Sequence, residues 1–196
     1  MSNSLPPLAD FNEPNARTPL AAKEMIARTP KSAHARGVFF NFVIDELARA
    51  GHEEPRRIAF KMYPVSELME LSVRAAAIVH PHVSIREGLR RLGRLSYSSL
   101  LSTTAGSVLF SVAGIDFRIA LTLASKAYAL SMDHGSCEVT EMHKRWARVA
   151  LRGIYNFPDS SQVGVFEGAM EAYRVRGRVL VCSIDDTSAD LLLEWE

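Results

Sequence analysis

Between Arg94 and Asp116 the chain runs for 21 residues without a charged side chain, and this stretch decides first what it can become. Its length alone would span a bilayer. Its composition argues otherwise, because six serines, Thr103, Thr104, Gly106 and Gly114 leave only 11 of the 21 positions apolar. A helix that is apolar or small on all sides belongs in a core, so the stretch reads as one or two buried helices. No membrane span is expected.

The rest of the chain is consistent with a core of ordinary size. Its 196 residues are 47% hydrophobic, enough for a single domain that needs no metal or disulfide to hold it. With 23 Lys and Arg against 22 Asp and Glu, the net charge is +1. Binding driven by phosphate neutralisation calls for a basic excess, so nucleic acid is not an expected partner. The opening MSNSLPPLADFNEPN is polar and broken by prolines, unlike a signal peptide. With only Cys137 and Cys182 present, the expectation is a cytoplasmic protein with reduced thiols.

Five of nine prolines fall within the first 30 residues, and residues 1–34 read as a flexible proline-rich tail ahead of one domain over residues 35–196. Ala-Arg-Thr-Pro occurs twice in this tail, which makes Thr18 and Thr29 candidate phosphorylation sites.

Within the domain the period is 3.6 first and 2 later. Val38, Phe39, Phe42, Val43 and Leu47 share one helix face that ends at Gly51. A second helix, with Ser66 as N-cap, runs to Val79 before His80-Pro81. A third opens with a capping box of Ser84 and Glu87 and continues into the uncharged stretch. Arg86, Arg90 and Arg94 form a basic stripe on its outer face, offered here as a protein contact. Ser99, Thr103, Ser107 and Ser111 form a stripe of small residues. Phe117–Met132 predicts one central helix. Strands follow over residues 137–142 and 145–153, and a helix capped by Asp159 and Gln162 carries Val163, Phe166, Met170 and Tyr173 on one face. Gly164 and Gly168, one turn apart, predict close packing on a sheet. Strands over 178–184 and 189–195 close the chain as a hairpin. The fold class is therefore α+β, with a helical N-terminal half packed on an antiparallel sheet built as strand, strand, helix, strand, strand.

Four segments carry a resemblance: Arg36-Gly37-Val38-Phe39-Phe40, Phe157-Pro158-Asp159-Ser160, Val165-Phe166-Glu167-Gly168-Ala169 and Ser188-Ala189-Asp190-Leu191. Over about Ala35 to Glu196 they resemble a myxobacterial family of paralogous proteins of unknown function. In element order the chain is also similar to the superfamily of 4-vinyl-reductase-like, TRAPP-like and haem nitric-oxide-binding domains. That likeness implies haem binding, binding of a hydrophobic small molecule, or service as a dimeric scaffold. Haem-binding members use a proximal histidine and a Tyr-x-Ser-x-Arg motif. The nearest match here, Tyr97-Ser98-Ser99-Leu100-Leu101, has leucine in place of arginine, so no cofactor is expected.

No metal-ligand spacing, nucleophile elbow or phosphate loop is present, and the chain is expected not to be an enzyme. Two functions compete. One is a regulatory or scaffolding module acting through protein contacts, with a homodimer as the expected assembly. The alternative is a sensor that holds a hydrophobic small molecule in an apolar pocket, with Tyr97, Ser99, Thr103, Gly106, Tyr128 and Phe166 as ligand contacts. The sensor requires an internal cavity above about 300 Å³, the typical lower bound for ligand pockets.

Overall fold

The structure is a computed structural model that describes residues 7–102, 107, 111, 114 and 116–196. Thr103 and Gly106 lie outside the described residues; of the rest of the small-residue stripe, Ser99 is half-buried and Ser107 and Ser111 are exposed.

A short helix α1 (Ala22–Arg28) is followed by strand β1 (His34–Arg36) and helix α2 (Gly37–Arg49). Helix α2 ends as expected, with Gly51 at a φ of 86°. Strand β2 (Met62–Pro64) pairs antiparallel with β1, and helix α3 (Val65–Val79) follows directly. Its start is set by this pairing rather than by Ser66, because the Val65 amide donates to the Ala33 carbonyl at 2.9 Å. Helix α4 (Ile85–Ser102) opens with the expected cap: the Glu87 amide donates to Ser84 Oγ at 3.2 Å.

The single central helix expected over Phe117–Met132 is two helices, α5 (Phe117–Thr122) and α6 (Ala124–Ser131). Asp116 caps α5 by accepting from the Arg118 amide at 2.8 Å. The break at Leu123 follows Thr122, whose hydroxyl donates back to the Ile119 carbonyl at 2.7 Å and competes with the helical ladder. The pair is not central. Phe117, Ala120, Leu121, Ala127 and Ser131 face inward, while Arg118, Ile119, Lys126 and Leu130 face solvent.

Strands β3 (Ser136–Met142), β4 (Trp146–Arg152), β5 (Gly177–Asp185) and β6 (Ser188–Trp195) form one antiparallel sheet in the order β3-β4-β6-β5, with helix α7 (Ser161–Ala172) between β4 and β5. The β5–β6 turn holds itself through the Asp185 carboxylate, which accepts from the Thr187 amide at 2.7 Å. The α+β architecture is therefore the expected one.

The proline-rich segment is a correction. From Phe11 onward it lies on the domain rather than trailing free. Phe11 is 7% exposed and packs on the outer face of the sheet with Leu180 and Leu192. Asn12 exchanges backbone hydrogen bonds with Val181, at 3.0 and 2.8 Å. Helix α1 buries Met25 among α2 and α3 residues. The few apolar side chains of this segment anchor it. They also explain why β4 is buried along both faces instead of alternating: Arg148 stacks under Phe11, 5.5 Å from the ring centroid. Thr29 is buried too, its hydroxyl donating to the Met25 carbonyl at 2.9 Å, so it is closed to a kinase. Thr18 is exposed.

Helices α4 and α7 cross with their backbones in contact. A Cβ at Gly164 would overlap the Arg90 carbonyl, one at Gly168 the Arg94 carbonyl, and one at Gly93 the Ser161 carbonyl. The α7 glycines therefore face helix α4 and not the sheet. Val163, Phe166 and Met170 on the other side of α7 pack on the strands.

This crossing also accounts for the arginine stripe, which turns inward rather than out to a partner. Arg90 Nε donates to both oxygens of Glu167 at 3.0 Å, and Arg94 donates to the same carboxylate at 2.8 Å. Arg86 pairs with Asp159 and donates to the Thr18 carbonyl at 3.0 Å. Asp159 is thus a partner for Arg86 and not a helix cap; the residue before α7 is Ser160, which makes no side-chain capping bond. Among the described residues no helix is long and apolar enough to cross a membrane.

Candidate functional site

A pocket of about 130 Å³ lies where the helical layer meets the sheet. Its walls come from α2 (Phe42, Val43), α4 (Leu92, Ser96, Tyr97), α5 (Phe117, Ala120), α6 (Ala127, Tyr128, Ser131), strand β3 (Cys137), the turn before α7 (Asn156, Phe157) and α7 itself (Gln162, Phe166, Ala169). The room has a simple origin. Ala120, Ala124, Ala127 and Ser131 recur at helical spacing along α5 and α6, and all four line the pocket. Small side chains on the inner face of a helix pair that spans Phe117 and Tyr128 leave volume that the facing aromatic rings do not fill.

Of the six expected ligand contacts, the structure brings Tyr97, Tyr128 and Phe166 into this wall. Ser99 is half-buried and does not line the pocket. The two tyrosines differ. Tyr97 is hydrogen-bonded to Tyr173, and burial pushes its hydroxyl well above the usual phenol range. The Tyr128 hydroxyl is buried without a hydrogen-bond partner, and burial raises its pKa as well. Both stay protonated across the physiological range.

Sequence reasoning missed Cys137 and Asn156. Burial pushes the Cys137 thiol up to about 12, so it is an inert thiol and not a nucleophile. Asn156 is 9% exposed, and its Oδ1 is buried with no partner. Its position is fixed by the next residue: Phe157 adopts a φ of 59°, a left-handed conformation that costs a bulky residue about 1–3 kcal/mol. That cost is offset by complete burial of the ring, since Phe157 is 1% exposed. The Phe157 carbonyl then accepts from the Ser160 and Gln162 amides at 3.2 and 3.3 Å, which launches α7 from the pocket wall.

Beside the pocket, His134 sits between the rings of Tyr128 and Tyr155, at centroid distances of 6.3 and 5.2 Å. Desolvation lowers its pKa and favours the neutral imidazole. The described residues include no group of three or more His, Cys, Asp or Glu placed to hold a metal ion.

Residues 31–196 match a family model described as Protein of unknown function (DUF2378). No curated protein matches the chain. Solved structures do. The chain is similar to an H-NOX protein from S. oneidensis in the Fe(II)NO state, with a TM-score of 0.62 and 14% identity over 82% of this chain and 99% of that one. It is similar as well to a mutant Fe(II) unliganded H-NOX protein from K. algicida, with a TM-score of 0.60 and 14% identity over 82% and 96%. An oxygen-binding H-NOX domain related to soluble guanylate cyclases gives 0.59 and 12% over 82% and 92%. At these identities the likeness is one of fold.

Proposed function

The chain belongs to the DUF2378 family of proteins of unknown function, and on that premise we propose that it is a sensor domain holding a small hydrophobic molecule in the pocket beneath α5 and α6. The observation that carries this reading is the pocket itself. It lies between the helical layer and the sheet, in a fold that the chain shares with an oxygen-binding H-NOX domain related to soluble guanylate cyclases. The resemblance to ligand-binding domains favours this over a module that only scaffolds.

The haem of H-NOX relatives does not fit the residues present here. Protein ligands to haem iron are imidazole, thiolate, phenolate or a thioether paired with histidine. The described pocket wall contains no histidine, and residues 103–115 contain none either. No Lys or Arg among the described lining residues could meet a propionate. A volume of about 130 Å³ also falls short of the roughly 300 Å³ expected from the sequence for a ligand pocket, a size that belongs to drug-sized ligands, so haem and ligands of that size are excluded. It does suit a small one, since an apolar cavity of about 150 Å³ takes up benzene.

The reading extends to a non-catalytic role in the cytoplasm, supported by the protonated Cys137 and by two cysteines that remain unpaired. The output we assign to contact with a second copy of the chain. Leu95, Ile119 and Leu130 support this, being exposed on α4, α5 and α6, the helices that also line the pocket. Native mass spectrometry of the protein isolated from its own host without denaturation tests both parts. A small retained mass per chain and a dimer are expected. A bare monomer that no small apolar compound stabilises against heat would overturn the reading.

A further inference from the structure

The tetrapeptide Ala-Arg-Thr-Pro stands at residues 16–19 and again at residues 27–30, so the fold places one sequence in two settings. Thr29 follows the last residue of α1 and is 9% exposed. Its hydroxyl donates to the Met25 carbonyl at 2.9 Å and lies 3.4 Å from the Met69 sulfur. Thr18 is the opposite case. It belongs to residues 13–21, which no helix or strand includes, and Asn15, Arg17, Thr18 and Pro19 are all exposed. The proline after Thr18 disfavours helical geometry there, so an enzyme taking hold of this segment has no ladder of backbone bonds to break.

The surroundings of Thr18 also suit an added anion. Its hydroxyl accepts from Asn15 Nδ2, and its carbonyl accepts from Arg86 Nε at 3.0 Å. An amide donor and a guanidinium beside one residue offer a phosphoryl group charge-assisted hydrogen bonds. Arg86 is shared with the Asp159 carboxylate. A phosphoryl group carries about −1.5 to −2 charges against the single charge of a carboxylate, and so takes the stronger hold.

We propose that Thr18, and not Thr29, is a phosphorylation site for a serine/threonine kinase, and that Arg86 receives the phosphate. The Thr18 oxygen attacks the γ-phosphorus of a nucleoside triphosphate. The new O–P bond replaces the bond to the β-phosphate oxygen, the nucleoside diphosphate leaves with that electron pair, and the hydroxyl proton passes to the kinase's own base.

A proline-directed kinase chosen because it modifies synthetic peptides of residues 12–24 and 23–35 equally is given the folded full chain with ATP and magnesium. Mass spectrometry of the digested chain is expected to find the phosphoryl group on Thr18, with Thr29 modified at least about tenfold more slowly. Thr18→Ala is expected to leave the folded chain unmodified over the same period. Equal modification of the two threonines in the folded chain, or none at Thr18, overturns the site. Chain isolated from its own host with phosphatases blocked is expected to carry the group at Thr18, and its absence in every growth phase overturns the assignment. The Arg86 Nε–H resonance in proton–nitrogen NMR spectra is expected to move on phosphorylation while that of Arg91, bonded to Glu87, stays in place. An unmoved Arg86 signal overturns its part as receiver.

Discussion

Helices α4 and α7 meet across one seam, and α5 and α6 cover the pocket across another; the two are built on opposite principles. In the first, glycines bring backbone against backbone, and Arg90, Arg94 and Glu167 lock the pair from the side. In the second, alanines face aromatic rings across a gap, and the outer surface is left to solvent. Interiors are close-packed, so a change of one methylene is felt at a filled contact and tolerated at a hollow one. The contrast identifies α4–α7 as the fixed frame and α5–α6 as the part of the molecule with room to respond.

The sharpest way to break the frame is to thicken it. Gly168→Leu places side-chain atoms where the Arg94 carbonyl lies, on a helix with no slack to yield. The expected loss exceeds about 4 kcal/mol, seen as absence of a cooperative unfolding transition by circular dichroism. Removing the lock is milder. Glu167→Ala leaves Arg90 and Arg94 without their shared carboxylate, in a site where the Glu167 side chain is 11% exposed. A loss of about 2–3 kcal/mol in urea unfolding is expected.

The region beside the hollow should respond to acid. His134, with His34, Asp133, Tyr128 and Tyr155 around it, has its folded pKa lowered from 6.5 by desolvation, and His80 between α3 and α4 is lowered for the same first reason. Below pH 6.5 the unfolded chain takes up protons that the folded chain refuses, so stability declines as pH falls from there toward the lowered values. The decline from pH 7 to 5.5 is expected to be less than about 1 kcal/mol for His134, and His134→Gln should flatten it. Smallest in stability is Ala127→Leu, which fills part of the pocket. A change within about 1 kcal/mol is expected, together with loss of stabilisation by small apolar compounds. A loss as large as that of Gly168→Leu would show that the roof is as tightly packed as the frame.

Elements whose signals are local were legible in the sequence. The Ser84–Glu87 cap, the Gly51 stop and the Asp185–Thr187 turn each depend on residues within a few positions of one another. The site was legible only in part: Tyr97, Tyr128 and Phe166 reach the pocket because aromatic residues on inner faces tend to line whatever space remains. What escaped was set by distant partners. Nothing near Arg90 in sequence announces Glu167, and Gly164 carries no mark saying that it will meet a helix instead of a strand. Asn156 depended on a left-handed turn at Phe157, a conformation rarely expected of phenylalanine. The alanine row of α5 and α6 was visible at its spacing, but alanine is so common in helices that the row carried no specific meaning until the aromatic rings stood opposite it.

Strand β5 is an outer strand of its sheet, and it is Asn12 that occupies its free backbone groups at Val181. The family match begins only at residue 31. A version of the protein trimmed to that boundary would keep every helix lining the pocket yet uncover an unpaired strand edge, with Leu180, Leu192 and Arg148 stripped of Phe11. Exposed edges of this kind recruit other strands. Phe11 and Asn12 thus cover part of an edge that would otherwise invite pairing, and a dimer seen only in the trimmed form would be an artefact of their removal.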